Sequence, residues 1–337
     1  MNAVALVGSD TLLGREIRDI VATSDGGDLS LRLVADIDEA AGALTRVGDE
    51  PAVVGGLTAA SLSGARAVFL AGSPEASRKA LELAADETET TIIDLTGAAE
   101  DRPDARLRAP LVESSEDADQ AEYNSAVQVI AHPAAIALAL FLRRLHSIEP
   151  VRASVIQIFA PASEHGTEGV EELQGQTVSL LSFKKLPHAV FDTQLSFSML
   201  AKYGEGAKVA LEETELRIER HLASLLALPG AGEGVPMPSL RLIQAPVFHG
   251  YSFGAWVEFE SDPNLETLEN GLVTGSIEVR GSEFEAPTNV GQAGQSGIAV
   301  GAISPDRNRP EACWFWLAAD NLRLTAENGV AVARQLV

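Results

Sequence analysis

Cysteine is almost absent from this 337-residue chain, which carries only Cys313. A single thiol excludes an internal disulfide framework and a cysteine-rich zinc site. Aromatic residues amount to only 5%, so the core has to be assembled from Ala, Val, Leu and Ile. Basic residues are scarce too: 25 Lys and Arg face 48 Asp and Glu, a net charge of −23. Such a chain repels phosphate backbones and anionic lipid, and its only lysine pair is Lys184-Lys185. Neither a nucleic acid nor a membrane is therefore an expected partner. No uncharged apolar run reaches about 18 residues, the length of a membrane span. The opening residues, Met1 to Gly8, lack the basic start and apolar stretch of a secretory signal. A cytoplasmic location is the expectation.

What is present is the balance of a globular protein, 46% hydrophobic and 22% charged, with length enough for two domains. Val4 to Val7 reads as a buried strand, Gly8 to Gly14 as a turn, and Arg15 to Val21 as a helix with apolar residues at helical spacing. Leu31 to Ala35, Ala67 to Ala71 and Thr91 to Leu95 read as further strands, with a helix over Pro74 to Ala85. Strands alternating with helices predict a doubly wound parallel sheet of Rossmann type over residues 1–131. After Val127 to Ala131, Pro133 opens a long apolar helix, Ala134 to Leu145. From there strands come in runs: Ser154 to Phe159, Leu240 to Val247, Ser252 to Phe259, Thr274 to Val279 and Ala312 to Leu317. Helices are grouped between them at Glu168 to Leu181 and Lys208 to Leu226. That pattern predicts an α+β domain over residues 132–318, with a last helix within residues 319–337.

Gly8 and Gly14 bracket five residues immediately after the first strand. In a dinucleotide fold, glycines here let the backbone approach a pyrophosphate at a helix N-terminus. A tight turn without a ligand has the same signature, and Thr11 stands where the strict pattern places a central glycine. Asp36, at the end of the second strand, is placed to bond a ribose 2′-hydroxyl and so to favour NAD. Asp38 and Glu39 add negative charge that disfavours the extra phosphate of NADP.

Six segments occur in the order and spacing of one family. They are the turn Gly8 to Gly14, Val129-Ile-Ala-His-Pro-Ala-Ala135, Glu171-Glu-Leu-Gln-Gly-Gln-Thr177, Gln244-Ala-Pro-Val247, Thr288-Asn-Val-Gly291 and Phe315-Trp-Leu-Ala-Ala-Asp-Asn321. Over essentially its whole length the chain resembles aspartate-semialdehyde dehydrogenase, in particular that family's divergent homologues. The resemblance implies a Rossmann-type domain, an α+β dimerisation and substrate domain, a last helix returning to the first domain, and a homodimer. It also implies a role in amino-acid biosynthesis through NADPH-dependent reduction of aspartyl phosphate. There a cysteine forms a thioester, a histidine serves as acid and base, and two arginines hold the substrate's anionic groups.

Carried over one by one, those residues are missing. The nucleophile position falls on Ala135 and the acid–base position on Tyr251. One arginine position falls on Gln244 and the other at about Glu100. The family glutamine falls at about Ala160, and the arginine that often receives the NADP phosphate at about Glu39. Losing a nucleophile alone costs several orders of magnitude in rate. The expectation is therefore a pseudoenzyme that keeps fold and dimer and binds an unidentified small molecule or protein partner. The alternative is an NAD-linked reductase of an aldehyde that uses Tyr251 or His249.

The residues expected to face a dinucleotide are Gly8, Thr11, Leu12, Leu13, Gly14, Asp36, Ser73 and Asn321. NAD and an empty site both remain open, with NADP disfavoured. His249 and Tyr251, two apart in an extended segment, are expected to project to one side. Ser163 with His165 suggests a nucleophile and base for which the sequence assigns no orienting acid. His132, His165 and Glu164 lack any metal-ligand spacing rule, so no metal is expected. Cys313 reads as a small buried hydrophobe.

Overall fold

The first sheet grows outward from β1 (Ala3–Val7), which pairs in parallel with β2 (Ser30–Val34) on one side and β5 (Ala67–Leu70) on the other. Beyond β5 lie β6 (Thr91–Asp94), β8 (Val127–Ile130) and β7 (Ala105–Arg108), again all parallel. These are residues of a computed structural model that describes positions 3–23, 29–85, 90–113 and 126–336. β5 and β8 are buried at every position, as expected of parallel strands covered on both faces. The doubly wound architecture is the one the alternation of strands and helices predicts. Helix α1 (Leu12–Thr23) turns Ile17, Ile20 and Val21 inward. Helix α3 (Pro74–Leu83) starts on a Ser73 cap with Pro74 in its first turn. A hairpin of β3 (Leu44–Val47) and β4 (Glu50–Val53), followed by the single turn α2 (Ala59–Leu62), intervenes between β2 and β5. Neither the hairpin nor β7 has a long apolar run, and the sequence patterns above do not mark them.

The second sheet has the order β10-β9-β11-β14-β13-β12 and mixes parallel with antiparallel pairs. Its strands are β9 (Val151–Ala160), β10 (Ser239–Gln244), β11 (Tyr251–Phe259), β12 (Ile277–Arg280), β13 (Ile298–Pro305) and β14 (Ala312–Ala319). β11 alternates strictly, with Tyr251, Phe253, Ala255, Val257 and Phe259 buried. Helix α4 (Pro133–Ile148), in which Ala134 to Ala139 are all buried, sends Phe141 edge-on to Phe315 of β14 at 5.1 Å. Helices α5 (Gly166–Leu181), α6 (Leu211–Leu226) and α7 (Leu265–Leu272) complete this part. Leu240 to Val247 does not run as one strand: β10 stops at Gln244, before Ala245-Pro246, because proline has no N–H for the ladder. β12 begins at Ile277 rather than at Thr274, and α6 at Leu211 rather than at Lys208.

The chain divides into two compact units, Met1–Ala131 with Thr325–Val337, and His132–Leu324. The last helix, α8 (Asn321–Leu336), begins in the second unit. In the first unit it lies close to the sheet, where a Cβ on Gly329 would come within 2.8 Å of Leu95.

Candidate functional site

In the first unit the turns after β1, β2 and β5 converge at the strand C-termini, the usual ligand edge of such a sheet. Gly8 has φ 80°, and a Cβ there would meet Gly72 at 2.4 Å. A Cβ on Gly14 would lie 2.0 Å from the Gly8 carbonyl oxygen. Both glycines are thus required by close backbone packing alone. Thr11 fills the place of the central glycine. Its Oγ1 accepts the Gly14 N–H at 3.0 Å and lies 2.8 and 2.7 Å from the carbonyl oxygens of Gly8 and Ala71. The helix start is therefore capped by the protein's own side chain. Asp36 is turned inward as well: its Oδ1 accepts the Ser73 N–H at 2.5 Å. Ser73 in turn uses its hydroxyl to cap α3. Leu12 and Leu13 are half-buried in the first turn of α1. The side chain of Glu39 lies outside the described residues. The turn thus departs from the dinucleotide pattern at Thr11, and its Gly14 amide and Asp36 Oδ1 are already bonded within the protein.

The second unit holds a buried polar network around Glu164. Ala135 is completely buried in the first turn of α4. His132 caps that helix through Nδ1, which accepts the Ala134 N–H at 3.2 Å, while Nε2 lies 2.8 Å from Glu164 Oε1. With Nδ1 turned to the Ala134 amide, Nε2 is the nitrogen whose N–H donates to the carboxylate. The Tyr251 hydroxyl donates to the other oxygen, Oε2, at 2.7 Å. Burial pushes the Glu164 carboxyl up, but the His132 imidazole and the Tyr251 hydroxyl outweigh it and hold the pKa down at about 2. Burial, followed by the Glu164 charge, drives Tyr251 well above the ordinary phenol value. A second chain runs beside the first. Tyr203 donates to Gln244 Oε1 at 2.7 Å and accepts from His165 Nε2 at 2.9 Å, and burial keeps His165 neutral by lowering its pKa. Gln244 is fully buried, and its amide nitrogen donates to the carbonyls of Ala160 and Ala245.

A third chain involves Ser163. Its Oγ lies 3.1 Å from His249 Nδ1, and His249 Nε2 lies 2.9 Å from Asp320 Oδ2. Asn321 Oδ1, 3.2 Å from Ser163 Oγ, also accepts the Gly250 N–H. Two expectations are corrected here. Ser163 pairs with His249 and not with His165, whose Nε2 is taken by Tyr203. His249 and Tyr251 do not act on one side of an extended segment: Gly250 has φ 80° between them, and the two side chains reach different carboxylates. Both have the partners that the sequence could not assign, because Glu164 and Asp320 are distant in the chain. The Ser163-Glu-His165 cluster and the Asp320-Asn321 pair were the available signals.

Cys313 is buried in β14 opposite Val257, and burial, with Asp262 and Asp306 adding to it, raises its thiol pKa to about 11. That suits packing rather than nucleophilic chemistry. Among the described residues no group of three or more His, Cys, Asp or Glu is placed to hold a metal ion, and no helix is long and apolar enough to cross a membrane.

The family model for the semialdehyde dehydrogenase dimerisation domain matches residues 142–324. A USG-1 protein homolog of Pseudomonas aeruginosa is 30% identical over 99% of this chain and 97% of its own length. The chain belongs to the aspartate-semialdehyde dehydrogenase family. A solved structure of a probable aspartate-semialdehyde dehydrogenase from Pseudomonas aeruginosa superposes with a TM-score of 0.80 at 28% identity, covering 98% of this chain and 96% of that one. An aspartate-semialdehyde dehydrogenase of Candida albicans, solved with NADP, gives a TM-score of 0.68 at 13% identity over 100% and 98% of the two chains. At that identity the likeness shows the fold alone. Within the aspartate-semialdehyde dehydrogenase fold, the unexpected residue is Glu164. It stands second in Ser163-Glu-His-Gly166 and brings a carboxylate within hydrogen-bond reach of both His132 and Tyr251.

Two outcomes follow. Glu164→Gln lowers stability at pH 7 by roughly 2–4 kcal/mol, as expected for one member of a buried network. Because the folded pKa of Glu164 is depressed to about 2 from an unfolded value of about 4.3, its stabilisation is present above the unfolded pKa. It is lost as pH falls toward 2, so the gap between wild type and variant closes over that window in chemical denaturation curves. For the turn, calorimetric titration gives an affinity for NAD no tighter than about 0.1 mM, roughly −5.5 kcal/mol, and weaker still for NADP. Tight binding of either dinucleotide overturns that expectation.

Proposed function

We propose that this chain does not carry out the thioester-forming reduction of its family, and that it is a pseudoenzyme for that reaction which keeps the fold and the homodimer. The observation that carries this reading is Glu164, whose two carboxylate oxygens take the His132 Nε2–H and the Tyr251 hydroxyl. The position assigned to the nucleophile holds Ala135, which has no reactive atom. The position assigned to the acid–base histidine holds Tyr251, fully buried and with its proton committed to a carboxylate. Gln244, at one arginine position, is neutral and has its hydrogen bonds satisfied. An acyl phosphate would meet an anion here instead of a cationic clamp. A reductase using Tyr251 as proton donor finds little support, since donation from a buried phenol beside Glu164 leaves two adjacent anions.

The dimer is supported by the outer face of the second sheet. Val155, Trp256 and Trp314 form one cross-strand row, and Gln157, Gly254 and Trp316 the next. All three tryptophans of the chain lie on this face, with Trp314 47% and Val155 49% exposed. A flat aromatic surface of this kind is characteristic of a protein contact, and a second copy of the chain is its proposed occupant. Trp314→Asp should shift sedimentation from dimer to monomer at micromolar concentration; an unaltered dimer places the contact elsewhere.

The reaction itself is tested with purified protein, aspartate semialdehyde, phosphate and NAD or NADP, following nicotinamide absorbance. No turnover is expected, and a rate on the order of 10 per second, ordinary for an enzyme, overturns the proposal. Ala135→Cys alone is expected to leave the protein inactive, because Glu164, Tyr251 and Gln244 remain.

A further inference from the structure

The Ser163 chain has the connectivity of an activated nucleophile, and none of its members is used in the reading above. Asp320 is an anion: burial raises its carboxyl, but bonds from His249 and from the amides of Arg323 and Gly294 lower it further. Its Oδ1 accepts the Leu322 and Arg323 N–H groups at the start of α8, and its Oδ2 accepts Gly294 N–H at 2.7 Å. An anion at Oδ2 fixes the imidazole proton on Nε2 of His249. Nδ1 is then the nitrogen with the free lone pair, 3.1 Å from Ser163 Oγ, and it competes for the hydroxyl proton with Asn321 Oδ1 at 3.2 Å. The two ring nitrogens are exchanged relative to the familiar serine-hydrolase arrangement, but the logic of nucleophile, base and orienting carboxylate is the same.

The surroundings are held in place. The backbone N–H groups of Ala162 and Ser163 donate to the carbonyls of Val247 and Phe248, and Asn289 Nδ2 holds the His249 carbonyl. Three stretches distant in sequence thus fix Ser163, His249 and Asp320 together without a ligand. The His249 side chain is 29% exposed, whereas Ser163 is 3% exposed beneath it, so only a small group can reach Oγ.

We propose that Ser163 is a nucleophile activated by His249 and oriented by Asp320, and that it accepts the acyl group of small activated esters or thioesters. Ser163 Oγ forms a bond to the carbonyl carbon while the bond from that carbon to the leaving oxygen or sulfur breaks. The hydroxyl proton passes to His249 Nδ1 and from there to the departing alkoxide or thiolate. Water then attacks the Ser163 ester, giving its proton to the same nitrogen, and the carboxylic acid leaves as Ser163 recovers its hydrogen. No oxidant or reductant is consumed, so this activity is independent of the nicotinamide assay, and either can fail without the other.

The test uses the full chain with a fluorophosphonate probe and with p-nitrophenyl acetate. One probe adduct per chain, mapped to Ser163 by peptide mass spectrometry, is expected. Ser163→Ala abolishes it, and His249→Ala slows both labelling and ester hydrolysis by at least about 100-fold. Because Asp320 also supports α8, Asp320→Asn is read together with circular dichroism, and a folded variant shows slowed labelling. Absence of an adduct on folded wild-type protein, an adduct on another residue, or an unchanged rate in His249→Ala overturns the proposal.

Discussion

A carboxylate buried against protein must be compensated or neutralised, and in this chain Glu164 is compensated twice. One oxygen takes a proton from an imidazole and the other from a phenol. Much of the second unit follows from that requirement. His132 can donate through Nε2 only because Nδ1 is occupied in capping α4. Tyr251 can reach Oε2 because it is the first residue of β11, which pairs with the β9 strand that leads into the Glu164 turn. The helix start, the central strand pair and the turn are thereby tied to one anion. Removing any partner leaves either an unpaired buried charge or an uncapped helix.

The fold was largely legible from the chain because parallel strands buried on both faces are short apolar runs, and Val4 to Val7 and Ala67 to Leu70 are such runs. The elements that escaped notice lack that signature. β7 reads Ala-Arg-Leu-Arg, and β13 carries Gly301 inside a strand ending in proline. The candidate site was legible only as vacancies. Ala135, Gln244 and Tyr251 announce what is missing by their place in the family's motifs. What replaced it depends on partners 32, 87 or more positions away, such as Glu164 with His132 and with Tyr251. No local pattern encodes those pairings. They arise from β9–β11 register and from where α8 begins.

The same limit applies to glycine. Gly8 and Gly14 suggested a phosphate turn, yet each is explained by how closely backbone approaches backbone. The distinguishing residue is Thr11, whose hydroxyl accepts one of the first amides of the helix, Gly14 N–H.

The placement of all three tryptophans on the outer face of the second sheet has a spectroscopic consequence. The first unit contains none. Tryptophan fluorescence of this protein, excited selectively, therefore reports on one unit alone and, within it, on one surface. A shift in tryptophan emission records wetting or covering of that aromatic face, whereas melting of the parallel sheet involves no tryptophan and registers in far-ultraviolet dichroism. Disagreement between those two optical signals would measure how independently the two units lose their structure.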